Sequence, residues 1–140
     1  MPFSGANRES ELLRTYKDKG DKDKFQGLID ELQQRYHRGD IAAGNALWLF
    51  YEPTFLGNSL KYAGGDATIA EDARQQTYVE ICDPDRRLFA RYDPEHAWQI
   101  WVNWRVHKRI LDEFRSPSRH VFLGLTGCES PTAETFPDSQ

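Results

Sequence analysis

An apolar stripe with a period of four residues runs through the stretch between Asp93-Pro94 and Ser116-Pro117. Trp98, Val102, Val106, Ile110 and Phe114 recur at i+4. A strand alternates its side chains with period two, so only a helix puts these five on one continuous face. The stretch reads as a helix from Pro94 to Arg115, about 33 Å long at ~1.5 Å per residue. Asp93 is expected to cap it, with Pro94 at the first helical position, where a missing N–H costs nothing. Ser116-Pro117 ends it.

Three further helices are expected upstream. Phe25, Leu28, Ile29, Leu32 and Tyr36 form one stripe, stopped by Gly39, and Asp40 caps the next helix. That helix runs from Ile41 to about Tyr62, with Ala46, Leu47, Leu49, Phe50, Phe55, Leu56 and Leu60, and Gly64-Gly65 closes it. Pro53 is expected to kink or split it near Tyr51 and Glu52. Thr68-Ile69-Ala70-Glu71 has the form of a capping box opening a helix from Ile69 to about Cys82, which Asp83-Pro84 ends. The expectation is an all-α protein, a compact helical bundle of about four helices over residues 25–116. Residues 1–24 finish in the alternating charges of Lys17 to Lys24 and read as a flexible extension, with Leu12, Leu13 and Tyr16 forming at most a short amphipathic turn. Residues 117–140 are rich in Ser, Thr, Pro and Gly and read as a mobile tail or a truncated linker, anchored only by Val121-Phe122-Leu123.

Composition narrows the function classes. A chain of 140 residues that is 39% apolar suits one domain with a packed core. No apolar run is long enough to cross a membrane, and the N-terminus has no signal-peptide core. Cys82 and Cys128 form neither a disulfide framework nor a zinc motif, so a reducing, cytoplasmic setting is the simplest expectation. With 18 cations against 22 acids, the net charge of −4 argues against coating nucleic acid by bulk charge, and leaves only a local patch. His37, His96, His107 and His120 are scattered. Glu71 and Asp72 diverge by about 100° on a helix and cannot clamp one ion. Gly64-Gly65 lacks the lysine of a phosphate loop, and Ser118 lacks the strand–turn–helix setting of a nucleophile. No catalytic residue, metal or cofactor is expected.

Two helix faces remain. The last helix carries Trp101, Trp104, Arg105, Lys108 and Arg115 on a second face, and residues 98–120 hold five cations against two acids. Rings and cations interleaved in this way hold single-stranded nucleic acid, the bases stacking and the phosphates meeting charge. The plainer alternative packs Trp101 and Trp104 on a neighbouring helix while the cations reach to solvent. The helix before it turns out Glu71, Asp72 and Glu80 with Gln75 and Gln76, an acidic, amide-rich surface. Ile69, Ala73, Thr77 or Gln76, and Ile81 face inward with Tyr78 nearby. Such a surface is either a solvated face with acids near the helix N-terminus or a face that docks a protein.

At these residues the chain resembles a known family. Ala70-Glu71-Asp72-Ala73-Arg74-Gln75-Gln76-Thr77-Tyr78 is similar to the region 2 signature of bacterial sigma-70 family initiation factors, in their extracytoplasmic-function branch. Tyr92-Asp93-Pro94, Trp98-Gln99-Ile100-Trp101-Val102 and Ile110 to Arg115 resemble the second block of that region, in the same order and at a similar spacing. The resemblance covers about residues 40–116. It implies a helical domain that docks on the clamp helices of the RNA polymerase β′ subunit and opens the −10 promoter element as single-stranded DNA. By position, Glu71, Asp72, Gln75 and Gln76 would bind polymerase while Tyr78 packs. The loop from Asp83 to Tyr92 would take up a flipped base, with Arg86, Arg87, Phe89, Arg91 and Tyr92, and Trp101, Trp104, Arg105 and Lys108 would line the DNA face. An anti-sigma factor is a further partner the resemblance admits.

The chain departs from the family pattern at four positions in these blocks. Gln76 stands for the usual Glu, Trp98 for Phe, Arg105 for an apolar residue and Lys108 for a common Asn, which exchanges base readout for phosphate contact. The residues after Arg115 are too few for the family's second DNA-binding region, so the chain is expected to be a fragment or a stand-alone region 2. The alternative function is a sigma-like interaction module, a polymerase modulator or anti-sigma decoy that docks without melting DNA.

Overall fold

The computed structural model describes the backbone of residues 4–115 and the side chains of residues 8–115. The expected tail, with Val121-Phe122-Leu123, His120 and Cys128, lies outside the described residues. Five α-helices follow one another: α1 (Ser4–Lys19), α2 (Lys22–His37), α3 (Ile41–Tyr62), α4 (Ala67–Ile81) and α5 (Trp98–Phe114), with a 3-10 turn over Leu88–Arg91. There is no strand among the described residues, and no helix there is long and apolar enough to cross a membrane. The all-α bundle is as expected, with one helix more.

That extra helix is α1. Its N-terminal polarity reads as a linker, but Leu13 is fully buried and Ser10 nearly so, and the helix lies along α3. Its charges are also committed: Arg35 of α2 bonds Glu9 of α1 at 2.6 Å, Asp40 at 2.9 Å and Glu31 at 3.3 Å. This cluster ties α1, α2 and the start of α3 together, and the paired carboxylates hold the guanidinium proton more tightly than usual.

Helix α3 is the centre of the bundle and touches the other four. Ala43 to Trp48 are six consecutive buried residues, the pattern of a helix covered on all sides. Asp40 caps it as expected, its carboxylate accepting from the Ala43 N–H. Pro53 does not split the helix. Proline has no N–H to offer the Leu49 carbonyl one turn back, and the Arg14 guanidinium of α1 donates to that oxygen instead, at 3.1 Å. The expected break is therefore repaired by a tertiary bond.

Two expected caps are replaced. Asp66, not Thr68, caps α4, accepting from the N–H groups of Thr68 and Ile69 at 3.1 Å. Helix α5 begins at Trp98 rather than Pro94, because residues 93–96 form a turn in which Asp93 accepts from the Glu95 and His96 N–H groups. The Trp98 N–H is taken by the side-chain oxygen of Gln33, a buried residue of α2, at 2.9 Å. Trp98, Val102, Val106 and Ile110 are buried as the stripe predicts, with Phe114 at its half-buried end.

Tyr36 joins these elements. Its ring lies 6.1–6.2 Å from those of Phe89, Tyr92, Trp98 and Trp101, and its hydroxyl donates to the Ile81 carbonyl at 3.0 Å. Gly44 lets α3 approach this ring: a Cβ there would stand 2.6 Å from Tyr36 Cδ1.

Candidate docking face and nucleic-acid interface

Helix α4 buries Ile69, Ala70, Ala73, Thr77 and Ile81 and turns the opposite side outward. Glu71, Asp72, Gln75 and Gln76 are all exposed, two i,i+4 pairs side by side. Each amide clasps the acid one turn before it, Gln75 to Glu71 at 3.2 Å and Gln76 to Asp72 at 3.0 Å. Pairs of this kind add about 0.2–0.5 kcal/mol each to a helix. Val79, one turn further, is an unusually exposed valine at 62%. Tyr78 turns away from this face, its ring tilted against that of Trp48 at 5.1 Å and its hydroxyl donating to Asn45. Beside the quartet a shallow groove runs between α4 and α5, bordered by Asp72, Gln76, Arg109, Asp112 and Glu113 over Ile69 and Ala73.

Glu80 is a correction. The helical wheel places it on the acidic outer surface, but its side chain is turned toward α5 and only 15% exposed. There it pairs with Arg109, with Arg86 at 3.4 Å and with Arg105 at 3.9 Å. Arg109 also donates to the Gln76 side-chain oxygen at 2.5 Å. Arg109 is absent from the residues the sequence singles out. Its signal was its spacing: four residues from Arg105, it shares that residue's face.

The loop between α4 and α5 is pinned from below. Leu88 is buried, the Phe89 ring covers Gly39, and His37 Nδ1 lies 3.2 Å from the Phe89 carbonyl. Arg87 adopts the left-handed conformation at φ 52°, uncommon for a residue with a side chain, and its guanidinium lies over the Phe89 ring. The turn lifts Arg86, Arg87 and Arg91 into solvent.

Two of the four aromatic members of the expected nucleic-acid face are interior. Tyr92 is 1% exposed and Trp101 8%, their rings 5.1 Å apart within the Tyr36 cluster. Arg105 lies over the Trp101 ring, half-buried, and burial lowers its pKa from the ordinary arginine value. Of the expected set, Arg86, Arg87, Arg91 and Lys108 are exposed, while Phe89, Trp104 and Arg105 are half-buried. The plainer packing reading therefore holds for Trp101, because a ring beside Tyr36 and Tyr92 buries more area than one left on the surface.

No group of His, Cys, Asp and Glu side chains among the described residues could hold a metal ion. The chain matches no protein-family model, no curated protein and no solved structure.

Proposed function

We propose that this chain is a sigma-factor-like transcription-initiation domain that docks through α4 on the clamp helices of RNA polymerase β′ and presents its cationic loop and the α5 face to −10 promoter DNA. One observation carries the reading. The segment of α4 that resembles the family's core-binding signature turns Glu71, Asp72, Gln75 and Gln76 outward, clasped in pairs beside exposed Val79, while Tyr78 packs inward. Arg86, Arg87 and Arg91 stand on the loop that follows, so one partner surface and one cationic surface adjoin along the same chain segment.

Burial of Trp101 and Tyr92 favours a second reading, an interaction module that docks on polymerase or an anti-sigma factor without melting DNA. The two share α4 and part at the loop.

The test is a titration against a purified β′ clamp-helix fragment. Binding at micromolar Kd or tighter, about −8 kcal/mol, lost in both Asp72→Ala and Gln75→Ala, is the expected result. No binding by the wild-type chain overturns polymerase docking. Promoter opening is then measured on the polymerase complex, where Arg87→Gly and Lys108→Ala, both at exposed positions, weaken single-stranded −10 DNA binding under the first reading and leave it unchanged under the second.

A further inference from the structure

Three guanidinium groups meet at one carboxylate. Arg109 Nη2 donates to Glu80 Oε2, Arg86 Nη1 stands 3.4 Å from the same oxygen, and Arg105 Nη2 stands 3.9 Å from Oε1. Arg91 adds its own repulsion to Arg105. Arg86 also pairs with Asp83 at 3.7 Å, so two carboxylates face three guanidiniums and the cluster keeps one excess positive charge in a chain whose net charge is −4. Packing alone does not require this, since cations crowded at a partly dehydrated site repel one another. The layering is also directional. The Glu80 side chain is 15% exposed, against 31% for Arg109 and 57% for Arg86. Arg105, at 25%, lies between, with its Nε buried. The outward N–H groups of Arg86 and Arg109 are the ones an oxyanion arriving from solvent meets first.

We propose that Arg86, Arg105 and Arg109 form a binding site for the phosphate backbone of single-stranded DNA, and that Glu80 is its built-in counterion. Glu80 holds the three guanidiniums in place and, by neutralising part of their charge, keeps the site weak until a phosphate takes up their outward donors. Arg109 is further fixed by Gln76, so its fork is set before any ligand arrives. The inference rests on the nucleic-acid half of the function proposed above, adding Arg109 to its residues and an internal restraint on its affinity.

The experiment titrates the whole chain against a fluorescein-labelled oligothymidylate at low salt and reads anisotropy. Glu80→Gln retains the shape of the side chain and removes its charge, and is expected to tighten binding about fivefold and steepen the salt dependence. Arg86→Gln and Arg109→Gln are expected to weaken binding by a similar factor, about fivefold. Thermal melts by circular dichroism establish that each variant is folded. If Glu80→Gln melts too low to titrate, Glu80→Asp, which draws the charge back by one methylene, is expected to tighten binding to a smaller extent. A charge-removing or charge-retracting variant that binds no better than wild type overturns the counterion role. Arginine variants that bind as well as wild type overturn the phosphate site, as does a lack of oligonucleotide binding by every protein in the series. The same proteins are titrated against the clamp-helix fragment: binding retained there while the oligonucleotide arm fails sinks this inference alone, and the opposite pattern sinks polymerase docking alone.

Discussion

Two single residues show how closely the sequence is fitted to this fold. Gly44 is the point where α3 meets the Tyr36 ring, and a Cβ there would fall 2.6 Å from a ring carbon that neighbouring rings hold in place. Alanine is normally the better helix former by about 1 kcal/mol. Gly44→Ala is nevertheless expected to destabilise by roughly 1–3 kcal/mol, since overpacking outweighs propensity at a buried crossing. Urea unfolding would show it, and a gain in stability would mean that α2 and α3 separate without loss. Arg87 presents the reverse case. Its left-handed backbone costs a residue with a Cβ about 1 kcal/mol, and its guanidinium reaches only the Phe89 ring beside it. Arg87→Gly is expected to leave stability unchanged or raise it by up to about 1 kcal/mol, part of the gain being offset by the freer unfolded chain. A clear fall in the urea midpoint would make the contact with Phe89 a structural tie. The variant therefore separates the cation's function from its fold.

At the scale of elements, the helices legible in the sequence are those marked within one segment, by an apolar repeat as in α2 and α5 or by a cap and a stop as in α3. The stripe from Trp98 to Ile110 and the Asp40 cap are local patterns, and both stand in the structure. What the sequence hid was supplied from other elements. Helix α1 reads as a linker because it gives the core chiefly Leu13, and its polar residues find partners only in the folded protein, Glu9 on Arg35 and Arg14 on the Leu49 carbonyl. The start of α5 reads wrongly because its cap, Gln33, comes from 65 positions earlier in the chain. In the candidate site, the outward quartet of α4 follows from helical spacing, whereas the inward turn of Glu80 needs three arginines that only the fold assembles. Leu13→Ala is expected to cost about 2–5 kcal/mol, the range for a fully buried leucine. A loss below about 1 kcal/mol in urea would mean that α1 only rests on α3. Gln33→Ala leaves the buried Trp98 N–H without its acceptor and is expected to cost roughly 1–3 kcal/mol. Faster amide exchange at the first turn of α5 would locate that loss.

The whole molecule is expected to hold its stability between two titrations of buried groups. On the acid side, His107 is buried against Tyr62, their rings stacked 3.9 Å apart, and burial lowers its pKa below the ordinary 6.5. A depressed histidine favours the neutral form in the folded state, so its contribution is complete above pH 6.5 and is lost as pH falls through the folded value. On the alkaline side, burial pushes the Cys82 thiol from 9.0 up to about 11, and raises the Tyr36 and Tyr92 hydroxyls above their usual 10.0. Raised groups favour the protonated form, so their contribution is complete below the unfolded values and falls as pH rises, from 9.0 for the thiol and from 10.0 for the phenols. A Tm profile measured across pH is expected to show both slopes. Cys82→Ala removes the first part of the alkaline fall and retains the part above pH 10, because the tyrosines remain. His107→Gln flattens the acid slope just below pH 6.5 whatever its effect on Tm at neutral pH. An acid slope unchanged in that variant would place the sensitive proton elsewhere, since only His107 among the described histidines is closed off from solvent on the packed side of α5.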